Sequence, residues 1–241
     1  MSALRVLSVF PRISNIHGDA GNAQVLAQRA RWRGAAAEVI ALAPGDAVPP
    51  APHAIVLGAG FDAHAGRTLE ALQPYAEVLR KWVAEGIPLL AVGLGWELLA
   101  TSVEVEPGQV LTGLGVFAGS AAPAERATGD MLIDSAHGPL IGYEYHVRDY
   151  VPGAGEQPLG TVLHGIGNAT GSGTEGAIAG TAYGTHLRGP VLARNPSFAD
   201  HLLELAAGRA GIALGEGSEP LRAVDGWQQQ VTARTRRDLG V

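Results

Sequence analysis

Residues 87–100 constrain the fold more than any other stretch: Ile-Pro-Leu-Leu-Ala-Val runs into Gly93-Leu94-Gly95 and then Trp-Glu-Leu-Leu-Ala. A short apolar run bounded by Gly86 and Pro88 reads as a buried strand. The two glycines turn the chain sharply, and a helical pattern follows. Strand, tight glycine turn and helix is the geometry of a nucleophile elbow, in which one side chain is held exposed above the end of a sheet. The tip of such a turn calls for Cys or Ser. Here it is Gly93, and the chain contains no cysteine. The frame of an active site is present without its attacking atom.

The segments around this elbow alternate. Leu4–Phe10 reads as a first strand, residues 21–33 as a helix on Ala23, Leu26, Ala27 and Ala30, then Ala36–Ala43 and Ala54–Leu57 as strands, and 69–85 as one long amphipathic helix. Strands alternating with helices imply a three-layer α/β fold, a mostly parallel sheet with helices on both faces. Ligands of such sheets sit beyond the carboxyl ends of the strands, so the loops at Asp19, Gly58 and Gly93 are expected to meet. The second half reads differently. Gly113–Phe117, Met131–Ile133, Leu140–Tyr145 and Leu159–Leu163 are short β-like pieces that imply a short antiparallel excursion. A further strand at Ala182–Leu187 and a helix over 197–208 follow. One domain is expected over 1–214, with 215–241 as its helical tail.

With 241 residues, 46% of them hydrophobic, the chain can bury a full core. Its formal charge of −6 argues against nucleic acid or anionic membrane as a partner. It has neither a run of 18 apolar residues nor a basic-then-apolar amino terminus, so no membrane span is expected and the cytoplasm is the expected location. The eight histidines have no ligand-like spacing, and neither a metal nor a cofactor is expected. Gly58-Ala59-Gly60-Phe61-Asp62-Ala63 fits a dinucleotide-binding pattern, but it follows the third strand and lacks a ribose-binding carboxylate downstream. A tight turn offering backbone N–H groups to a ligand is the reading preferred here. Asp19 reads equally as a cap of the first helix or as a site residue.

Several of these stretches together resemble the CobB/CobQ-like class I glutamine amidotransferases, and among them the GatD branch, the glutaminase subunits of lipid II isoglutaminyl synthase. The resemblance rests on Gly18-Asp19-Ala20-Gly21-Asn22, Gly58-Ala59-Gly60-Phe61-Asp62, the elbow, Tyr143-Glu144-Tyr145-His146, Gly165-Ile166-Gly167-Asn168, Gly173-Thr174-Glu175-Gly176 and Gly184-Thr185-His186-Leu187-Arg188-Gly189-Pro190, in that order. It implies a flavodoxin-like fold and a two-subunit enzyme. The glutaminase subunit releases ammonia through a Cys–His pair and passes it to MurT, a Mur-ligase-like ATP-dependent synthetase. The family's elbow reads Cys-Gly-Gly-Tyr-Gln and its later strand ends Tyr-Leu-His-Gly-Pro.

In this chain the Cys position is Gly93 and the His position is Arg188. A guanidinium is always protonated and cannot serve as a base. Loss of a nucleophile costs on the order of 10⁶ in turnover in hydrolases that depend on one, so the resemblance implies a pseudo-glutaminase that keeps a MurT-like partner. The same correspondence marks Gly58, Gly60, Leu94, Arg126 and His186 as candidate substrate-binding positions: the oxyanion-side loop, a filler of the glutamine space, a holder of the glutamine carboxylate, and an imidazole two residues before Arg188. Arg126 reads equally as a plain surface arginine. Two alternatives stay open: the old pocket turned to another small ligand or reaction with Arg188 holding an anion, and a glutaminase with an unrecognised nucleophile. Gly93 is expected at φ > 0 with Arg188 within reach, and its replacement by Cys is expected to cost on the order of 1 kcal/mol.

Overall fold

The alternation of apolar strands and helices produces a central six-stranded sheet in the order β11-β12-β4-β3-β1-β2. A computed structural model describes residues 3–241. The strands are β1 (Leu4–Val9), β2 (Ala37–Leu42), β3 (Ala54–Leu57), β4 (Leu89–Val92), β11 (Ala177–Ala179) and β12 (Ala182–Thr185). All neighbouring pairs are parallel except β11 with β12. The five parallel strands have the flavodoxin-like order. Leu4, Val6, Val56, Leu90 and Val92 face one layer, against α1 (Gly21–Trp32) and α6 (Pro196–Ala210). Leu7, Val9, Ile55, Leu57, Leu89 and Ala91 face the other, against α2 (Ala65–Leu72) and α3 (Ala76–Ala84). The period-two alternation of the strands thus feeds two apolar cores.

The long helix expected over 69–85 is two helices. Pro74 sits in a 3-10 turn over Gln73–Tyr75 between α2 and α3, since proline lacks the N–H that a continuous helix needs there. The helix after Gly58-Ala59-Gly60 begins only at Ala65, behind a 3-10 turn at Asp62–His64, so the loop does not open a dinucleotide-binding helix. A short helix, α4 (Leu94–Leu98), follows the elbow, and α5 (Val191–Arg194) precedes α6.

The antiparallel excursion is larger than expected. It is a second six-stranded sheet, ordered β10-β9-β7-β5-β6 with β8 also paired to β7. Gly113–Phe117 is a loop. The strands beside it are β5 (Ser102–Glu106) and β6 (Gln109–Thr112), joined at Pro107-Gly108. The pieces at Met131 and Leu140 belong to one long hairpin, β7 (Ser120–Ser135) and β8 (Gly138–Val151), with a bulge between Pro123 and Ala127. The sheet closes with β9 (Gly160–His164) and β10 (Thr174–Glu175).

The tail forms α7 (Glu219–Leu239), tied back where Arg29 of α1 pairs with Asp200 at 2.6 Å and Asp225 at 2.7 Å. No helix among the described residues is long and apolar enough to cross a membrane.

Candidate functional site

Four neighbouring strands, β12, β4, β3 and β1, end on one edge of the central sheet, and their following residues include Arg188, Gly93, Gly58 and Asp19. The expected meeting of the three loops occurs. A Cβ on Gly58 would lie 2.5 Å from the Cβ of Asp19, and one on Gly95 would strike the carbonyl oxygen of Gly58. Glycine at these positions is what lets the elbow, the Gly58 loop and the Asp19 loop touch. Asp19 does not cap α1, whose first turn has no side-chain cap. Its Oδ2 instead accepts the N–H of Ala59 at 3.0 Å, fixing the Gly58–Gly60 loop. Burial raises its carboxyl pKa, against the opposing pull of that N–H and of Arg188.

Gly93 has φ 52° and ψ −128°, a backbone state that side-chain-bearing residues hold only under strain. Its N–H donates to the carbonyl of Thr185 at 2.9 Å, which locks the elbow to the end of β12. Arg188 follows three residues later, and its own N–H donates to the carbonyl of Tyr143 at 2.9 Å. Its guanidinium lies flat against Gly93: a Cβ built there would be 2.6 Å from Cζ and 2.7 Å from Nη1. Space that a nucleophile's side chain would fill is therefore arginine. Leu94 is buried, with a methyl group 4.0 Å from the Cβ position of Gly60. It packs apolar bulk between the elbow and the Gly58 loop.

The wall opposite comes from β8 and the Asp19 loop. Tyr143 Oη and His17 Nδ1 are 2.7 Å apart, and burial together with the Arg188 charge lowers the pKa of His17. Tyr145 stacks obliquely on His17, and the exposed Arg126 lies over the Tyr145 ring at 5.5 Å. Arg126 thus stands at the rim, separated from Arg188 by a row of aromatic rings.

His186 takes a different course. Its imidazole is fully buried between Glu97, 3.7 Å from Nε2, and Glu175, 3.6 Å from Nδ1, and stacks face to face on His146 at 3.9 Å. These are ion-pair separations rather than short hydrogen bonds. Burial opposes the charge, but the two carboxylates outweigh it and lift the pKa to about 9. Glu97 also pairs with Arg148, which pairs in turn with Asp62 of the Gly58 loop. Burial pushes Glu97 up, yet His186 and Arg148 hold it at about 2. Glu144 accepts the N–H groups of Ile166 at 2.8 Å and Gly167 at 3.1 Å. The network cross-links the elbow helix, the Gly58 loop and the second sheet. The nearest atoms to a Cβ on Gly93 belong to Arg188, and none to His186.

Sequence reasoning did not single out Arg148, His17 or Tyr143 as site residues. A signal for Arg148 exists: Glu144, His146 and Arg148 are spaced by two on β8 and share its buried face.

Residues 6–196 match the family model of the CobB/CobQ-like glutamine amidotransferase domain. The chain belongs to this family. It is 29% identical to subunit GatD of lipid II isoglutaminyl synthase (glutamine-hydrolyzing) from Staphylococcus aureus (strain N315), over 82% of each chain. Against the GatD subunit from Streptococcus pneumoniae (strain ATCC BAA-255 / R6) it is 26% identical, over 84% of this chain and 80% of the relative. A crystal structure of a glutamine amidotransferase superposes with a TM-score of 0.55 at 19% identity, over 83% of this chain and 98% of the other, a likeness of fold. Within the CobB/CobQ-like family, the segment matched ends at Pro196, so α7 lies beyond it.

Proposed function

We propose that this chain is a GatD-like subunit that docks on a MurT-like, Mur-ligase-type ATP-dependent synthetase acting on the lipid II precursor of peptidoglycan, and that it does not itself hydrolyse glutamine. The first half is supported by the two GatD relatives, each matched over four-fifths or more of this chain. The second half rests on one observation, the guanidinium of Arg188 seated on Gly93. A thioester route needs a thiolate at the elbow and a base to generate it. The chain has no thiol, and the residue in the nucleophile's space is a permanent cation. What remains is a scaffold: a rigid elbow and a buried ionic network behind it.

The test has two arms. The isolated protein is incubated with glutamine and with a glutamine-analogue electrophile; ammonia stays at the buffer level and the intact mass is unchanged. Glutamate production that survives purification, or a covalent adduct, would refute the pseudo-glutaminase. Co-expression with a MurT-like protein from the same organism then gives one shifted peak on size exclusion, as an interface above roughly 1,000 Å² requires. Separate elution at micromolar concentration would refute the docking role.

A further inference from the structure

The carboxyl-terminal helix α7 is only loosely seated: Leu221 is its one buried residue, and Asp225 is held by Arg29. Between α7, the start of α6 and the β7–β8 turn lies a cavity of about 490 Å³, within the size range of small-molecule sites. On the α7 wall, Asp225, Gln228, Thr232 and Arg236 recur at helical spacing, so the cavity follows one face of the helix for about 16 Å. Its charges are divided along that length. Asp200 and Asp225 are both taken by Arg29, at 2.6 and 2.7 Å, and neither is left to attract a cation. Away from that cluster, Arg194 at the end of α5 and Arg236 on α7 line the cavity without an ion-pair partner among the described residues. Ser197 adds its hydroxyl between them and the aspartates.

We propose that this cavity binds a small organic phosphate, its phosphoryl group held by Arg194 and Arg236 and its polar body lying along Gln228 and Thr232 of α7. Two free guanidinium groups match a phosphate monoester, which carries close to two negative charges at neutral pH. A carboxylate would leave one of them without a counter-charge. Gln228 sets the rest of the ligand. It is partly buried, and its Oε1 is enclosed with no hydrogen-bond partner. An enclosed acceptor is costly unless a donor reaches it, so the ester carries a hydroxyl or N–H group that inorganic phosphate lacks. Bound between α6 and α7, such a molecule ties the tail helix to the domain. The site lies partly on residues beyond the family segment, and it needs neither the elbow nor a synthetase partner.

The experiment is thermal unfolding of the full chain titrated with ribose 5-phosphate, inorganic phosphate and ribose, ionic strength being held constant with chloride. The midpoint rises most with ribose 5-phosphate, less with inorganic phosphate and not with ribose, following mass action. Amide hydrogen exchange across 219–239 slows in ribose 5-phosphate. Arg194→Gln and Arg236→Gln each weaken the response about tenfold or more, the loss of one charge-assisted contact. Both side chains are exposed and unpaired, so the variants fold as the parent does. Arg237→Gln removes the same charge from the same helix outside the cavity and leaves the response unchanged. Gln228→Met weakens ribose 5-phosphate and spares inorganic phosphate. No rise beyond chloride, an equal rise with ribose or with inorganic phosphate, or an Arg237→Gln loss equal to that of Arg236→Gln would each overturn the proposal. So would a rise in midpoint without slower exchange in α7, which would place the ligand elsewhere.

Discussion

Gly93→Ala tests whether backbone strain and the seated guanidinium both govern the elbow. At φ 52° and ψ −128° a side-chain-bearing residue pays about 1–3 kcal/mol in backbone strain. The new methyl group would also lie 2.6 Å from Cζ and 2.7 Å from Nη1 of Arg188, so the guanidinium must leave its place. Overpacking of that kind costs about 1–3 kcal/mol. Together the loss is roughly 2–6 kcal/mol, larger than the sequence-based expectation for Cys because the arginine is already in the way. In an Arg188→Ala background the steric part disappears, and Gly93→Ala should cost only the strain. Urea unfolding of the four proteins in this cycle, followed by tryptophan fluorescence, to which the buried Trp82 and Trp96 contribute, gives the coupling directly. Equal costs in the two backgrounds, to within about 0.5 kcal/mol, would refute the seated guanidinium. A Gly93→Ala protein as stable as the parent would refute the strained elbow as well.

Two further outcomes concern the buried network. His186 titrates near 6.5 when unfolded and about 9 when folded, so its contribution is complete below 6.5 and is lost as pH rises through 9. Urea midpoints should therefore fall across that window, and His186→Gln should flatten the fall; an unchanged slope would contradict the assignment. Glu97→Gln installs the residue common in the family's elbow but strips a carboxylate from both Arg148 and His186. Because Asp62 and Glu175 remain in place, the loss should sit at the low end of the range for a broken buried pair, about 3 kcal/mol, read from the same unfolding curves.

The parallel sheet was legible because its strands are short unbroken apolar runs such as Ala54–Leu57 and Leu89–Val92, each closed by a glycine. Gly93 and Arg188 could be paired from sequence because the family resemblance puts them at its Cys and His positions; the fold then sets both beyond strands that end on the same edge. The second sheet was harder. Ser120–Ser135 carries Pro123, Glu125, Arg126 and Asp130 with a bulge in the middle, so no clean alternation marks it. The β5–β6 hairpin did carry a signal, Pro107-Gly108 between two alternating stretches, and it went unread. The ionic network was illegible for another reason. Asp62, Glu97, Arg148 and Glu175 come from four separate segments, and only the tertiary fold brings their charges together.

β4 ends at Val92 and β12 begins at Ala182, so an entire second sheet is threaded between two strands that lie side by side. Lengthening a closed loop adds little to its equilibrium entropy, but distant pairings slow folding. Strands β1 to β4 can assemble from the first ninety or so residues, whereas β12 must wait for the excursion to be made. Until it docks, the guanidinium of Arg188 remains hydrated. Stripping that water therefore falls on the docking of β12, a late event.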